Sequence, residues 1–162
     1  MIKSGGSFFY KGKRCIIGAV VPIKGLPYIV AASHIFHGVG DCVKVDEMQV
    51  AVKRILKNFD LALIELPPES KVEFTDFGSA VVLEDALLVN DMHVIPCRVI
   101  SAGSSLVYLS FPFSDMPQPG DSGSPVMQAG KVIGFISSLT LSNCIGTAIS
   151  SDMLQSMREQ RN

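Results

Sequence analysis

Tyr28-Ile29-Val30-Ala31-Ala32-Ser33-His34 runs five apolar positions into a serine and a histidine. An unbroken apolar run of this length, without the alternation of a half-exposed strand, predicts a β-strand covered on both faces. Lys24-Gly25 marks a turn before it and the segment 38–41 a turn after it. Outward from this strand the pattern repeats. Residues 7–10, 15–22, 42–45, 48–56 and 61–66 are the other expected strands of a first half, punctuated by Gly12 and Pro67-Pro68. The pattern then restarts, with expected strands at 80–83, 86–89, 93–100, 106–111, 125–127, 132–136 and 145–149. Gln128-Ala129-Gly130-Lys131 reads as a hairpin turn between two of them. Many short strands at regular spacing argue for an all-β barrel or sandwich in two halves, 1–68 and 69–162. Only the C-terminus has a helical pattern, with Asp152 as N-cap, Gln155 three positions on, and Met153, Leu154 and Met157 as an apolar stripe.

Composition sets the outer bounds. Of 162 residues, 48% are hydrophobic and 18% charged, enough apolar material for one compact unit and no signature of disorder. Fourteen basic and fifteen acidic side chains give a formal charge of −1, with no basic block, so nucleic acid is not an expected partner. The first residues lack the apolar run of a secretory signal, and no stretch approaches the ~20 apolar residues that span a bilayer. The expectation is a soluble, cytoplasmic chain without a membrane partner (host cytoplasm if viral), or a mature piece of something longer. Its oligomeric state is open. Cys15, Cys42, Cys97 and Cys144 are widely spaced, form no Cys-x-x-Cys pair, and are expected to be reduced structural thiols.

Three segments carry chemistry. The first is Pro119-Gly120-Asp121-Ser122-Gly123-Ser124-Pro125-Val126. A hydroxyl is a poor nucleophile and must stand clear of the backbone beside a base, with N–H donors near the oxyanion it creates. Glycines on either side of Asp121-Ser122 permit that backbone, although Asp-Ser-Gly is also an ordinary turn. The second is His34 itself, fixed at the end of a buried strand yet able to reach substrate. An imidazole with an unperturbed pKa of about 6.5 suits a general base, while a lone histidine is as easily a backbone-bonded structural residue. The third is Asp60 in Asn58-Phe59-Asp60-Leu61-Ala62-Leu63-Ile64. A carboxylate opening so apolar a strand needs a partner, and the His34 imidazole would supply one; alternatively it is a turn aspartate.

Together, Ala-Ser-His, Phe-Asp-Leu-Ala-Leu-Ile and Gly-Asp-Ser-Gly-Ser-Pro resemble the three signature segments of the trypsin-like serine peptidases. The order His, Asp, Ser matches that family, whereas subtilisins run Asp, His, Ser and α/β-hydrolases Ser, Asp, His. The resemblance implies the chymotrypsin-like fold: two six-stranded antiparallel β-barrels with a cleft between them and a short C-terminal helix. It implies a serine endopeptidase with His34, Asp60 and Ser122 as triad and the N–H groups of Gly120 and Ser122 as oxyanion hole. It implies a polypeptide substrate and no cofactor or metal. Val132-Ile133-Gly134-Phe135-Ile136-Ser137 also matches, and by resemblance Ser137 bonds the catalytic aspartate and begins the wall that pairs with substrate.

The departures narrow the comparison. Ile35 and Gln118 stand where secreted digestive members have cysteines, and no Ile-Val-Gly-Gly start exists to be released, so Asp121 needs a partner other than a new α-amine. Short length and Ser-Pro after the nucleophile glycine are similar to the compact viral and bacterial members. By position the specificity pocket is built from Met116 at its base and from Ser137, Ser138, Leu139 and Gly146. Met116 favours an apolar or small P1 residue, whereas a register slip to Asp115 would favour Lys or Arg. His37 and His93 lie outside these walls, which disfavours the Gln or Glu preference that a wall histidine serves. The alternatives are a catalytically silent trypsin-fold binding module, and a metal enzyme using His34, His37, Asp41 and Cys42, which lacks a His-Glu-x-x-His helix.

Overall fold

The computed structural model of the chain describes residues 1–160, with side chains of the C-terminal helix described as far as Gln155. Among the described residues the strands are β1 (Ser7–Tyr10), β2 (Lys13–Ile16), β3 (Ala19–Ile23), β4 (Leu26–Ala32), β5 (Cys42–Val45), β6 (Met48–Leu56), β7 (Leu61–Glu65), β8 (Asp85–Val89), β9 (Val94–Ala102), β10 (Leu106–Ser110), β11 (Pro125–Gln128), β12 (Lys131–Thr140) and β13 (Ile145–Ser150). One helix follows, α1 (Ser151–Gln160). All strand pairs are antiparallel.

The architecture is nearly all β, in two sheets, as the strand spacing implies. The later six strands close into a barrel, ordered β10-β13-β12-β11-β8-β9. The first seven form a curled open sheet, β2-β1-β5-β6-β7-β4-β3, where the resemblance implied a closed six-stranded barrel. The extra strand arises because the stretch 15–22 is two strands. At Gly18 the chain changes partner, from β1 for β2 to β4 for β3. A Cβ at Gly18 would lie 2.7 Å from the Gly123 carbonyl oxygen and 2.8 Å from the Phe135 ring, so the backbone of the second sheet occupies that space.

Two further details depart from the sequence reading. Residues 80–83 form a turn, not a strand, because the Gln128 side chain takes the part of a ladder neighbour: Val81 N–H donates to its Oε1 (2.8 Å), and its Nε2 donates to the carbonyls of Val81 (3.0 Å) and Glu84 (3.2 Å). The helix is capped by Ser150, whose hydroxyl accepts from Asp152 N–H at 3.2 Å, so Asp152 sits in the first turn. Met157, expected on its apolar face, lies outside the described side chains. The hairpin at 128–131 is as expected, with Ala129 and Gly130 both left-handed (φ 50° and 77°), the type I′ geometry that matches strand twist.

Each sheet has its own core, and a third apolar layer joins them. Val21, Val30, Leu61 and Leu63 of the first sheet pack with Phe135 and Ile149 of the barrel and with Leu154 of α1. All are buried, so the sheets cannot slide without exposing this layer. The connecting segment adds backbone ties to both. Thr75 N–H donates to Val20 O and its hydroxyl accepts from Val20 N–H, each at 2.9 Å, while Val132 N–H donates to Asp76 O and Gly78 N–H to Val132 O.

Candidate active site

Strand β4 is buried along nearly its whole length and ends at Ala32. A single 3₁₀ turn, Ser33–Ile35, follows and lifts His34 out of the sheet. Antiparallel pairing of Ala32 with Leu61 puts Asp60 beside it, at the end of a second 3₁₀ turn with φ 51°. The left-handed region is one that Asp tolerates better than most residues. His34 and Asp60 are therefore brought together by strand register.

The Asp60 carboxylate is met by four donors. His34 N–H (2.9 Å) and the Ser33 hydroxyl (3.1 Å) reach Oδ1, His34 Nδ1 reaches Oδ2 at 2.9 Å, and the Ser137 hydroxyl crosses from β12 to Oδ2 at 2.6 Å. Burial pushes this carboxyl up, but the hydrogen bonds from Ser137 and His34 outweigh it and hold it below the usual Asp value. An ionised Asp60 is acceptor-only, so Nδ1 carries a proton, and in the neutral ring Nε2 then keeps its lone pair. That Nε2 lies 3.2 Å from the Ser122 hydroxyl oxygen.

Ser122 reaches this position through glycine packing. Gly123 has φ +85°, and a Cβ there would come within 3.1 Å of the Ala32 nitrogen. Only glycine lets the turn bearing Ser122 lie this close to the end of β4.

Asp121 has the partner that the sequence left unassigned. It is buried, and its Oδ1 accepts from the Asn90 amide at 3.1 Å and lies 3.5 Å from His93 Nε2. Its Oδ2 accepts from Gln118 N–H at 2.7 Å. Asn90 also donates to the Ser124 hydroxyl at 2.9 Å, and its own carbonyl takes the N–H groups of Met92 and His93. Sequence reasoning missed Asn90 and His93, because their role depends on the β8–β9 hairpin meeting the turn that bears Asp121 and Ser122.

The Gly120 N–H is not turned toward Ser122. Pro119–Asp121 is a 3₁₀ turn, and the Pro119 carbonyl oxygen accepts from the Ser122 hydroxyl at 3.3 Å. The Pro119–Gly120 peptide is trans, so its N–H points opposite to that carbonyl.

A cleft of about 410 Å³ opens beside Ser122, lined by Met116, Ile136, Ser137, Ser138, Leu139 and Leu141 together with the turn itself. Asp115 is exposed and outside the lining. Gly146 does not reach the cleft either. It is buried behind the wall, where a Cβ would meet the Phe111 ring at 2.6 Å and Ile136 at 3.0 Å. A second hollow of about 400 Å³ flanks His34 on the other side, bounded by Phe36, His37, Ile55 and Lys57.

Among the described residues no group of three His, Cys, Asp or Glu side chains is placed to hold a metal ion, and no helix is long and apolar enough to cross a membrane. The four cysteines are free thiols, and burial pushes that of Cys97 up to about 12.

No protein-family model matches the sequence, and comparison with curated proteins gives no match. Comparison with solved structures gives clear ones. Thermobifida fusca Protease A superposes with a TM-score of 0.78 at 16% identity, covering 96% of this chain and 95% of its own. Nocardiopsis protease does so with a TM-score of 0.75 at 17% identity, over 96% and 95%. A mutant form of the tobacco etch virus protease gives 0.64 at 16% identity, over 95% of this chain and 78% of its own. At such identities the likeness is one of fold, and it agrees with the strand order in two antiparallel sheets: this chain has the fold of the trypsin-like serine peptidases.

Proposed function

We propose that the chain is a serine endopeptidase, with residues 1–68 and 69–162 acting as one peptidase unit. The observation that carries this reading is the continuous line from Asp60 through His34 to Ser122, at 2.9 Å and 3.2 Å. Ser122 Oγ attacks the scissile carbonyl while His34 Nε2 takes its proton. Asp60 stabilises the imidazolium and fixes the ring, and His34 then passes the proton to the leaving amine. The acyl-enzyme is released by water through the same base.

Ser137, Ser138 and Leu139 edge the cleft and offer backbone to an extended substrate. The side chain bound there is uncharged and apolar, because Met116, Ile136, Leu139 and Leu141 supply the surface. The one lining carboxylate, Asp121, is already engaged by Asn90, His93 and Gln118 N–H. Selectivity is loose, since one methylene in such a pocket is worth only ~1–3 kcal/mol.

A second reading, a catalytically silent binding module, has one observation in its favour: the Gly120 N–H faces away from Ser122. A peptide set randomised at P1, run with wild type and Ser122→Ala, decides between them. Hydrolysis after apolar residues is expected, lost by up to ~10⁶ in turnover in the variant. Unchanged hydrolysis by Ser122→Ala would remove the nucleophile. A strong Arg or Lys preference that disappears in Asp115→Ala would remove the pocket assignment. No hydrolysis, and no labelling of Ser122 by a fluorophosphonate, would favour the binding module.

A further inference from the structure

We propose that the outer face of the first sheet, across β2, β1, β5 and β6, binds single-stranded nucleic acid, with Phe9 as a stacking platform between Arg14 and Lys44. The chain total of −1 conceals an uneven division. Residues 1–68 hold nine Lys or Arg against five Asp or Glu, and residues 69–162 five against ten, so the halves carry formal charges of +4 and −5. The first 40 residues have five basic side chains and no carboxylate. Charge divided in this way points to an anionic partner for the basic half. Three of that half's five carboxylates are turned to donors of their own. Asp60 is met by His34, Ser33 and Ser137, Asp41 by the Tyr10 hydroxyl and the N–H groups of His37 and Gly38, and Glu65 by the Tyr28 hydroxyl. The other two, Asp46 and Glu47, sit in the turn between β5 and β6.

Strand register gathers the cations around one ring. Residues directly opposite on neighbouring strands share a face of the sheet. Phe9 is opposite Arg14 on β2 and Lys44 on β5, and Lys44 is opposite Gln49 on β6. All four are exposed, whereas Phe8, Tyr10, Val43 and Val45 beside them point into the core. The row therefore crosses four strands at about 5 Å per strand. Along β6 it continues through exposed Ala51 to exposed Lys53, and the β1–β2 turn adds Lys11 and Lys13. The Arg14 guanidinium lies 5.5 Å from the Phe9 ring centroid, steadied by Asp91 Oδ2 at 2.8 Å and the Ser7 hydroxyl at 2.7 Å.

The ring decides the class of anion. Phe9 is 41% exposed, and the core of this half is closed by its inward neighbours without it. Between two cations, its face suits a base while Arg14 and Lys44 take the phosphates on either side. A duplex keeps its bases stacked inside, so the ring favours a single strand. An acidic peptide would use the cations and leave the ring idle. None of these residues lines the cleft beside Ser122 or the hollow beside His34, so the binding is independent of the peptidase reading.

The test is fluorescence anisotropy of the full chain with labelled oligo(dA) of about 16 nucleotides, titrated between about 50 and 200 mM salt. Wild type is expected to bind, with affinity falling steeply as salt rises. Phe9→Ala is expected to weaken binding by about fivefold or more at an unchanged salt slope, and Phe9→Trp, which keeps a ring, to stay within about threefold of wild type. Lys44→Gln is expected to make the log–log salt slope shallower by about 0.7, the share of one phosphate contact on a single strand. Lys131→Gln, on the acidic half, is expected to change nothing. Peptide hydrolysis by Phe9→Ala and Lys44→Gln is expected at the wild-type rate. Absence of binding at about 50 mM salt overturns the proposal. So does wild-type binding by both Phe9→Ala and Lys44→Gln. Polyglutamate of equal charge displacing the oligonucleotide as well as unlabelled oligo(dA) does would make this a surface for acidic peptides and overturn it too. Retention on phosphatidylserine vesicles without oligonucleotide binding would assign the face to a membrane instead.

Discussion

The two halves of the candidate site are built to different standards. On the first sheet, Asp60 has four donors around one carboxylate, about as many as its lone pairs accept, and His34 is fixed by two of them. On the barrel, the turn bearing Ser122 is pinned at Asp121 and Gly123, but the peptide between Pro119 and Gly120 is held toward Ser122 by a single 3.3 Å bond. On the peptidase reading, a general base needs one orientation throughout the reaction, and the His34–Asp60 side carries the fuller set of hydrogen bonds. The hydrogen bonding of the site is therefore unequal, concentrated where that reading places a proton.

That contrast is open to attack from the Asp60 side. Asp60→Asn replaces an acceptor of four bonds with a group that must also donate, and it favours the wrong imidazole tautomer. Turnover is expected to fall by roughly 10⁴ with the fold retained; a loss below tenfold, read beside a melting curve, would mean that the Asp60 side does not hold the base. Ser137→Ala removes the donor that ties the two sheets at this carboxylate. The expected loss is about tenfold to a hundredfold in kcat, the size of one hydrogen bond to a charged group. An unchanged kcat would show that Ser33 and His34 hold Asp60 alone.

The smallest effect lies in acid. Because Asp60 is held below its unfolded value of about 3.9, its contribution to stability is complete above that pH and is lost as pH falls through the lower folded value. Asp41, lowered by its bond from the Tyr10 hydroxyl, acts in the same window. The gap between the melting temperatures of wild type and Asp60→Asn should narrow as pH falls from about 3.9 through the lower folded value of Asp60. A gap that does not narrow in acid would assign the acid linkage to another group.

How far the sequence speaks for the structure depends on the range of the contacts involved. Residues 28–34 are legible because a buried strand and the turn after it are local matters. The 2.9 Å and 3.2 Å contacts joining Asp60, His34 and Ser122 follow the resemblance of three short segments. Gly18 reads as mid-strand in the sequence, since its reason lies far along the chain in the Gly123 carbonyl. Val81-Val82-Leu83 has strand composition, but the Gln128 amide bonds the N–H and carbonyl of Val81, Leu83 N–H goes to the Val99 carbonyl, and Leu83 adopts φ 70°. Asn90 and His93 carry no local pattern that links them to Asp121. The direction of one peptide plane, at Pro119–Gly120, is below what composition or spacing encodes.

The open first sheet has one more consequence, set by Thr75. A sheet that does not close leaves edge strands, and an edge with unpaired N–H groups is a template for another chain. Along β3, Val20 turns its N–H and carbonyl outward to Thr75, and by alternation the next outward position is Pro22, which has no N–H to offer. Between Val20 and Pro22 this edge therefore has no free outward donor with which a neighbouring molecule could start strand addition. The segment that ties the lobes together in this way also occupies the outward backbone groups of β3 at Val20.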